Sequence, residues 1–293
     1  MKQLVIISGK GGTGKTTITA AIASMAEKAI IADCDVDAPN LHLVLGPEII
    51  ETSDFYGMDI AHIDTEKCIG CNICIENCNF DAIYTDHTIN NCKCEGCGVC
   101  EYICPENAIK MINNPSGSVF DSMTRYGPMV HAELMIGEEA SGKLVTAVKE
   151  HAASLANENG AELIICDGPP GTGCPVIAAI TGADLALIVT EPSLSGIHDL
   201  ERIIQVTDHF RIPAIVCINK YNINEGNTKQ IESSCKENGI VVAGKLPYDT
   251  IPNKAMIGKK TVIEYADNGF SKNLREIWKI VRTELCEDPG SGK

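Results

Sequence analysis

The stretch Gly9-Lys10-Gly11-Gly12-Thr13-Gly14-Lys15-Thr16-Thr17 constrains this chain most, because it fits the phosphate-loop pattern G-x-x-x-x-G-K-[ST] at every required position. That pattern belongs between a strand and a helix, and the flanking residues supply both. The apolar run Leu4-Val5-Ile6-Ile7 enters the loop, and Ile18, Ala21, Ile22 and Met25 recur behind it at helical spacing. Glycines let successive backbone N–H groups converge on an anion, and the following helix adds its positive N-terminal end. In such a loop Lys15 reaches the β- and γ-phosphates and the Thr16 hydroxyl ligates Mg²⁺. Lys10 stands too far back along the loop to duplicate Lys15 and is expected to serve another partner.

Buried parallel strands read as continuous apolar runs, and the chain supplies more of them at residues 29–32, 163–166, 185–189, 214–218 and 240–243. A plausible helix separates each from the next. The expected fold is therefore α/β, a doubly wound, mostly parallel sheet of the P-loop NTPase type. Ligands in such sheets sit beyond the carboxyl ends of the strands, where Asp35, Asp167 and Asn219 fall. Asp167 is expected to hold Mg²⁺ through water. The segment Gly168-Pro169-Pro170-Gly171-Thr172-Gly173 is expected to be loop throughout, since prolines and glycines disfavour regular structure.

Four stretches together resemble the MinD, ParA and nitrogenase iron protein superfamily, the P-loop ATPases with a deviant Walker A motif. They are Gly9 to Thr17 with its early lysine, Asp33-Cys34-Asp35-Val36-Asp37, Cys166-Asp167-Gly168-Pro169-Pro170-Gly171, and Ile218-Asn219-Lys220. The resemblance implies a dimer in which Lys10 contacts nucleotide across the interface. It implies that Asp35 polarises the attacking water, with Asp33 the weaker candidate, in a switch loop ending at Pro39-Asn40-Leu41. Residues 168–173 become the second switch, and Asn219 reads the adenine edge beside Leu246-Pro247-Tyr248-Asp249. Catalytic roles are thus expected for Lys10, Lys15 and Asp35. Nucleotide contacts are expected from Gly9, Lys10, Gly11, Gly12, Thr13, Gly14, Lys15, Thr16, Thr17, Asn219, Pro247 and Asp249, and Mg²⁺ contacts from Thr16 and Asp167. The cofactors implied are ATP and Mg²⁺, with slow hydrolysis.

An internal block interrupts this pattern. Cys68, Cys71, Cys74 and Cys78 read C-x₂-C-x₂-C-x₃-C, and Cys94, Cys97, Cys100 and Cys104 repeat it 26 residues later, along with Lys67 at Lys93, Gly70 at Gly96 and Ala82-Ile83 at Ala108-Ile109. This is the bacterial ferredoxin pattern, in which the fourth cysteine of a run ligates the other cluster. One [4Fe–4S] cluster is accordingly expected on Cys68, Cys71, Cys74 and Cys104, and a second on Cys78, Cys94, Cys97 and Cys100. Paired C-x₂-C units also make zinc sites. The tight runs leave little chain to wrap a tetrahedral zinc, however, and the duplication favours clusters. Asn79 follows Cys78 where Pro105 follows Cys104, a departure that removes no ligand. The expected domains are residues 1–62 and 113–293 for the ATPase and 63–112 for an inserted α+β ferredoxin-like domain. A MinD-superfamily ATPase with such an insert resembles proteins often labelled cobyrinic acid a,c-diamide synthase-like, a label that describes fold and not reaction.

The 293 residues include 15 cysteines, and Met1-Lys2-Gln3 leads straight into a strand, so metal binding in a reducing cytoplasm is expected rather than disulfides. With 24 Lys and Arg against 39 Asp and Glu, the formal charge is −15, which disfavours nucleic acid and anionic lipid. No apolar run approaches a membrane span. Gly137-Glu138-Glu139-Ala140-Ser141-Gly142-Lys143 mimics a second phosphate loop, but Leu144 replaces the hydroxyl residue, and a helix capped by Ser141 is the simpler reading. Cys174 lies seven residues after Asp167, the offset of a bridging-cluster cysteine in the nitrogenase iron protein, although a small buried residue is the default. Cys92 is expected to be a spare thiol, and Cys34, Cys166 and Cys217 to pack on strands. His198 reads as a surface residue. Leu274, Ile277, Trp278, Val281 and Leu285 form a stripe expected to pack on the sheet rather than on a membrane, since the tail after it, Glu287-Asp288-Pro289-Gly290, is acidic.

Three functions fit these features. An ATP-driven redox switch would gate electron transfer to a redox or iron–sulfur partner, as a homodimer or paired with a related ATPase. An iron–sulfur carrier ATPase of the Mrp type would need a C-x-x-C pair toward the chain end, which is missing outside the insert. A positioning ATPase of the MinD or ParA kind would use the clusters as structure or as a redox sensor.

Overall fold

The computed structural model describes residues 1–135 and 140–286. Residues 137–139 of the second loop-like motif and the acidic tail from Glu287 lie outside the described residues. The chain divides into two compact units, one of residues 1–52, 119–133 and 141 onward, the other of residues 53–118 and 134–140.

The strands, in chain order, are β1 (Lys2–Ser8), β2 (Ala29–Asp33), β3 (Glu48–Tyr56), β4 (Ile60–Ile63), β5 (Ile109–Ile112), β6 (Pro115–Thr124), β7 (Gly127–Leu134), β8 (Leu163–Pro170), β9 (Leu185–Thr190), β10 (Ala214–Asn219) and β11 (Val241–Leu246). Nine of them form one sheet in the order β11-β10-β9-β1-β8-β2-β7-β6-β3. From β11 to β2 every pairing is parallel. Leu4, Val5, Ile6 and Ile7 are fully buried, as continuous apolar strands covered on both faces must be. The helix Lys15–Ala23 follows the phosphate loop, and the fold is the expected doubly wound P-loop sheet.

One expectation is corrected at β8. This strand does not stop at Cys166 but runs on through Gly168-Pro169-Pro170. The register against β1 shifts between Ile6 and Ser8, a bulge that accommodates a residue with no N–H. A Cβ on Gly168 would stand 2.7 Å from Ile7 Cγ2, so glycine lets the two strands close up. The loop begins only at Gly171, whose φ is 97° and whose N–H donates to Ser8 O at 2.9 Å.

Strands β3, β6 and β7 extend the sheet beyond the apolar runs. β6 and β7 are joined by the two-residue turn Arg125-Tyr126, and β7 lies parallel to β2 through Ile31–Met129 and Ala32–Val130. Arg125 fixes the turn by donating to the last carbonyls of the helix Leu41–Leu45, those of Leu45 at 2.7 Å and Val44 at 3.1 Å, and by pairing with Glu264 at 2.9 Å. At the other end of the unit, the helix Gly269–Cys286 buries Leu274, Ile277, Trp278, Val281 and Leu285 in the same core as Leu246 and Ala243. The stripe is a packing face. The helix Ser141–Asn159 takes Ser141 as its first residue and buries Leu144, Val145 and Val148.

The second unit is a twofold repeat. β4 and β5 pair antiparallel with Ile63 opposite Ile109, and 26 residues on, or back, an isolated bridge sets Ile89 opposite Ile83. Asp64 N donates to Ala108 O and Asn90 N to Ala82 O, both at 2.8 Å, the same bond in each half. Among the described residues, Ala61, Ile63, Cys74, Ile83 and Ile109 form the small apolar cluster here, bordered by Cys68, Cys78, Cys94, Cys100 and Cys104. Small units with so little apolar interior usually depend on cross-links or metal.

Candidate functional site

Gly12 and Gly14 adopt left-handed backbone at φ 78° and 93°, the conformation by which glycines let a phosphate loop curl around an anion. A Cβ on Gly14 would stand 2.3 Å from Asn219 Nδ2, so this glycine also admits the end of β10. Asn219 Nδ2 donates to Thr13 O at 2.7 Å, while its Oδ1 accepts from Lys220 N at 2.9 Å. Asn219 thereby braces the loop from beneath. Gly9 lies equally close to Asp199, on the helix Leu194–His209. Gly11 and Gly12 are exposed, Thr13 is buried, and Thr16 is half-buried in the first helical turn. Thr17 lines a separate small cavity with Ala20, Val44 and Pro252.

The Lys15 ammonium is buried and reaches Asp35 Oδ2 and Asp167 Oδ1, each at 3.3 Å. Thr19 Oγ1 donates to the same Asp167 oxygen at 2.8 Å. Burial pulls the Lys15 pKa down, but the charges of Asp167, Asp35 and Asp33 outweigh it, and the net shift is upward. Burial raises Asp35 against the pull of Lys15. Asp33 is raised well above the carboxylate range, by burial first and the charge of Asp167 second. Both Asp33 oxygens are occupied by backbone, accepting from Asp35 N and Leu41 N at 3.2 Å. Asp33 shapes the turn, which leaves Asp35 as the carboxylate free to act. Asp167 Oδ2 is buried with no hydrogen-bond partner. Three acidic side chains around one ammonium, with one such oxygen among them, form a donor set that fits Mg²⁺.

Lys10 is held within its own chain. Its Nζ donates to Ser193 Oγ and Ser195 Oγ, both at 2.9 Å, and pairs with Glu191 Oε1 at 2.7 Å. Glu191 also takes Lys220 Nζ at 2.8 Å, and that ammonium donates to Gly12 O at 2.9 Å. Burial raises the Glu191 carboxyl, the bonds from Lys10 and Lys220 outweigh it, and the net is downward. Sequence reasoning missed Glu191, Ser193, Ser195 and Thr19. Glu191 directly follows the carboxyl end of β9, so the strand-end rule that found Asp35 and Asn219 could have found it too. Of the expected base-pocket residues, Pro247 is half-buried and Asp249 Oδ1 accepts from Ile251 N at 2.9 Å.

The second unit carries two separate pockets. One is lined by Cys68, Cys71, Cys74 and Cys104, the other by Cys78, Cys94, Cys97 and Cys100. The fourth cysteine of each run lines the pocket of the other run. Backbone N–H groups already point at three of these sulfurs: Ala82 at Cys78 (3.4 Å), Ala108 at Cys104 (3.3 Å) and Ala61 at Cys94 (3.5 Å). Burial pushes the Cys100 thiol up to about 11 and raises that of Cys74, so a bound cation is what would ionise them near neutrality. Among the described residues, no three His, Cys, Asp or Glu side chains converge on a point where one metal ion would sit. Four thiols on each of two separate walls are a donor set that fits one [4Fe–4S] cluster per pocket.

The remaining cysteines lie elsewhere. Cys92 is exposed and lines neither pocket. Cys34, Cys166 and Cys217 are buried, and the thiols of Cys34 and Cys166 share a hydrogen bond. Cys174 opens the helix Cys174–Ile180 and is exposed, against the expectation of a buried residue, because that helix turns its Val176, Ala179 and Ile180 inward instead. The His198 side chain is 72% exposed. No described helix is long and apolar enough to cross a membrane.

A family model of the CobQ/CobB/MinD/ParA nucleotide binding domain matches residues 4–262. An uncharacterized protein of Methanocaldococcus jannaschii is 34% identical over 283 residues, covering 96% of both chains. A protein of Pyrococcus furiosus named iron-sulfur cluster carrier protein is 24% identical, over 99% of this chain and 89% of its own. Among solved structures, the septum site-determining protein MinD of Pyrococcus horikoshii, complexed with Mg-ADP, superposes with a TM-score of 0.58 at 18% identity, covering 96% of this chain and 95% of its own. That likeness speaks for the fold.

Proposed function

Because the chain belongs to the CobQ/CobB/MinD/ParA nucleotide-binding family, we propose that it is a dimeric, MgATP-dependent switch ATPase whose nucleotide state governs iron–sulfur electron transfer through its cysteine-rich unit. One observation carries the reading. The same chain combines a phosphate loop, whose lysine rests between Asp35 and Asp167, with two pockets that share out eight cysteines in the interleaved manner of a two-cluster ferredoxin.

In this reading the loop amides and Lys15 bind the phosphates, and Lys15 leaves its two carboxylates to do so. Thr16 and Asp167 would hold Mg²⁺, which supplies charge neutralisation on the phosphoryl oxygens. Asp35, released from Lys15, orients the attacking water. Lys10 exchanges Glu191, Ser193 and Ser195 for nucleotide on a second subunit, so turnover is slow until two chains meet. In the cysteine-rich unit, Cys68, Cys71, Cys74 and Cys104 would hold one [4Fe–4S] cluster and Cys78, Cys94, Cys97 and Cys100 the other. Such clusters supply one-electron chemistry, at a potential set by hydrogen bonds to sulfur and by solvent exposure.

Anaerobically purified protein tests the reading. It should contain about eight irons per chain, and MgATP should shift the reduction potential or chelator accessibility of at least one cluster. Zinc in place of iron, or clusters indifferent to MgATP, would refute it. The Pyrococcus relative's printed name favours a second reading, cluster delivery. Transfer of iron and sulfide to an apo-acceptor, dependent on the exposed Cys174, would select it.

A further inference from the structure

The two halves of the cysteine-rich unit repeat several backbone pairings but differ in side chains around their sulfurs, among them the pair Ala61 and His87. Ile63–Ile109 and Ile89–Ile83 are the same pairing, and the amides of Ala82 and Ala108 approach Cys78 and Cys104 in the same way. The repeat interval of 26 residues sets His87 in the place of Ala61. Ala61 lines the second pocket with a methyl group, and its N–H approaches Cys94 Sγ at 3.5 Å. His87 is built differently. Its N–H turns back to Tyr84 O at 2.9 Å, its φ is 61°, and its imidazole lines the first pocket with Cys68, Cys71, Cys74 and Cys104. The Nε2 atom there is buried and has no hydrogen-bond partner. Buried polar groups are rarely left unpaired, and one on a residue that shares a pocket lining with four cysteines calls for an acceptor there.

We propose that His87 donates its Nε2–H to a sulfur of the cluster held by Cys68, Cys71, Cys74 and Cys104, so that the two clusters differ in reduction potential. The inference rests on the cluster reading above. A neutral imidazole carries one N–H, and the ring nitrogen that bears it is set by its partner. Reduction adds negative charge to the sulfurs, so donation stabilises the reduced form and raises the potential of the first cluster. The methyl group of Ala61 can do nothing of the kind for the second. His87 is therefore a positioning and tuning residue, and the unit has a preferred entry cluster for electrons.

Anaerobic redox titration of the full chain, followed by electron paramagnetic resonance without nucleotide, tests this through His87→Leu and His87→Gln. In the leucine variant one cluster should become about tenfold harder to reduce, which for one electron is 59 mV, while the other stays put. Glutamine keeps an N–H donor and should recover most of the shift. An iron-loaded leucine variant with both potentials unmoved, or a glutamine variant no better than leucine, overturns the inference alone. If the leucine variant loses iron, His87→Asn, polar but shorter, takes its place under the same criteria. Zinc in the parent protein would instead overturn the cluster reading itself.

Discussion

Replacing Lys15 with methionine keeps the stem of the side chain and removes its charge. This ammonium lies 3.3 Å from both Asp35 and Asp167, with side-chain exposures of 6%, 13% and 0%. Removing one partner of a buried pair leaves the other charge uncompensated and costs about 3–5 kcal/mol. At roughly 2–4 °C per kcal/mol the transition that melts the ATPase unit should fall by roughly 10 °C at pH 7. The cost should depend on pH in a definite direction. Asp33 and Asp35 already have raised folded pKa values, and loss of Lys15 raises them further. A carboxyl raised on folding contributes stability below its unfolded pKa of about 4, and loses that contribution as pH rises through its folded value. The gap between parent and variant should thus be widest at pH 7–8 and narrow toward pH 5. Scanning calorimetry of nucleotide-free protein across that range is the assay. A variant as stable as the parent at pH 7, or a gap constant from pH 5 to 8, would refute the description of Lys15 as the counter-ion of a buried acidic cluster.

Other outcomes follow from the same geometry. Gly14→Ala should abolish nucleotide binding in equilibrium dialysis, since its Cβ would meet Asn219 Nδ2 at 2.3 Å in left-handed backbone; retained affinity would contradict the brace between Asn219 and the loop. Lys10→Ala should leave MgATP affinity within about threefold while lowering turnover and ATP-dependent dimerisation by tenfold or more, read by ATPase assay and light scattering, and normal turnover would remove Lys10 from the mechanism. Cys78→Ser should cost only the cluster shared with Cys94, Cys97 and Cys100, halving the iron content, whereas Cys92→Ser should change nothing. Loss of the cluster on Cys68, Cys71 and Cys74 instead would refute the interleaving.

The strands that carry the phosphate loop and the acidic residues are legible because each holds a continuous apolar run, the mark of a strand buried on both faces. Strands β3, β6 and β7 are not. Ser, Thr, Asp and Glu punctuate them, and in the exposed stretch 48–52 the apolar run is no longer than Ile49-Ile50. Gly168-Pro169-Pro170 reads as loop for the opposite reason, because local propensity argues for a break and only the bulge against β1 makes a strand possible. The cysteine runs announce their own partition, since spacing and duplication are one-dimensional facts. The asymmetry of His87 and Ala61 is present in the same interval, but it acquires meaning only once both residues are seen on pocket walls.

Sequence alone determined where a phosphate-loop motif falls between strand and helix and how the cysteines divide between two pockets, because those patterns are fixed by short intervals along one backbone. Only the tertiary structure decided where Lys15 and Lys10 rest. Their counter-ions, Asp167 and Glu191, lie 152 and 181 positions away along the chain. Charges that far apart meet only when parallel strands bring their carboxyl ends to one edge of the sheet, and burial there gives each ion pair its strength.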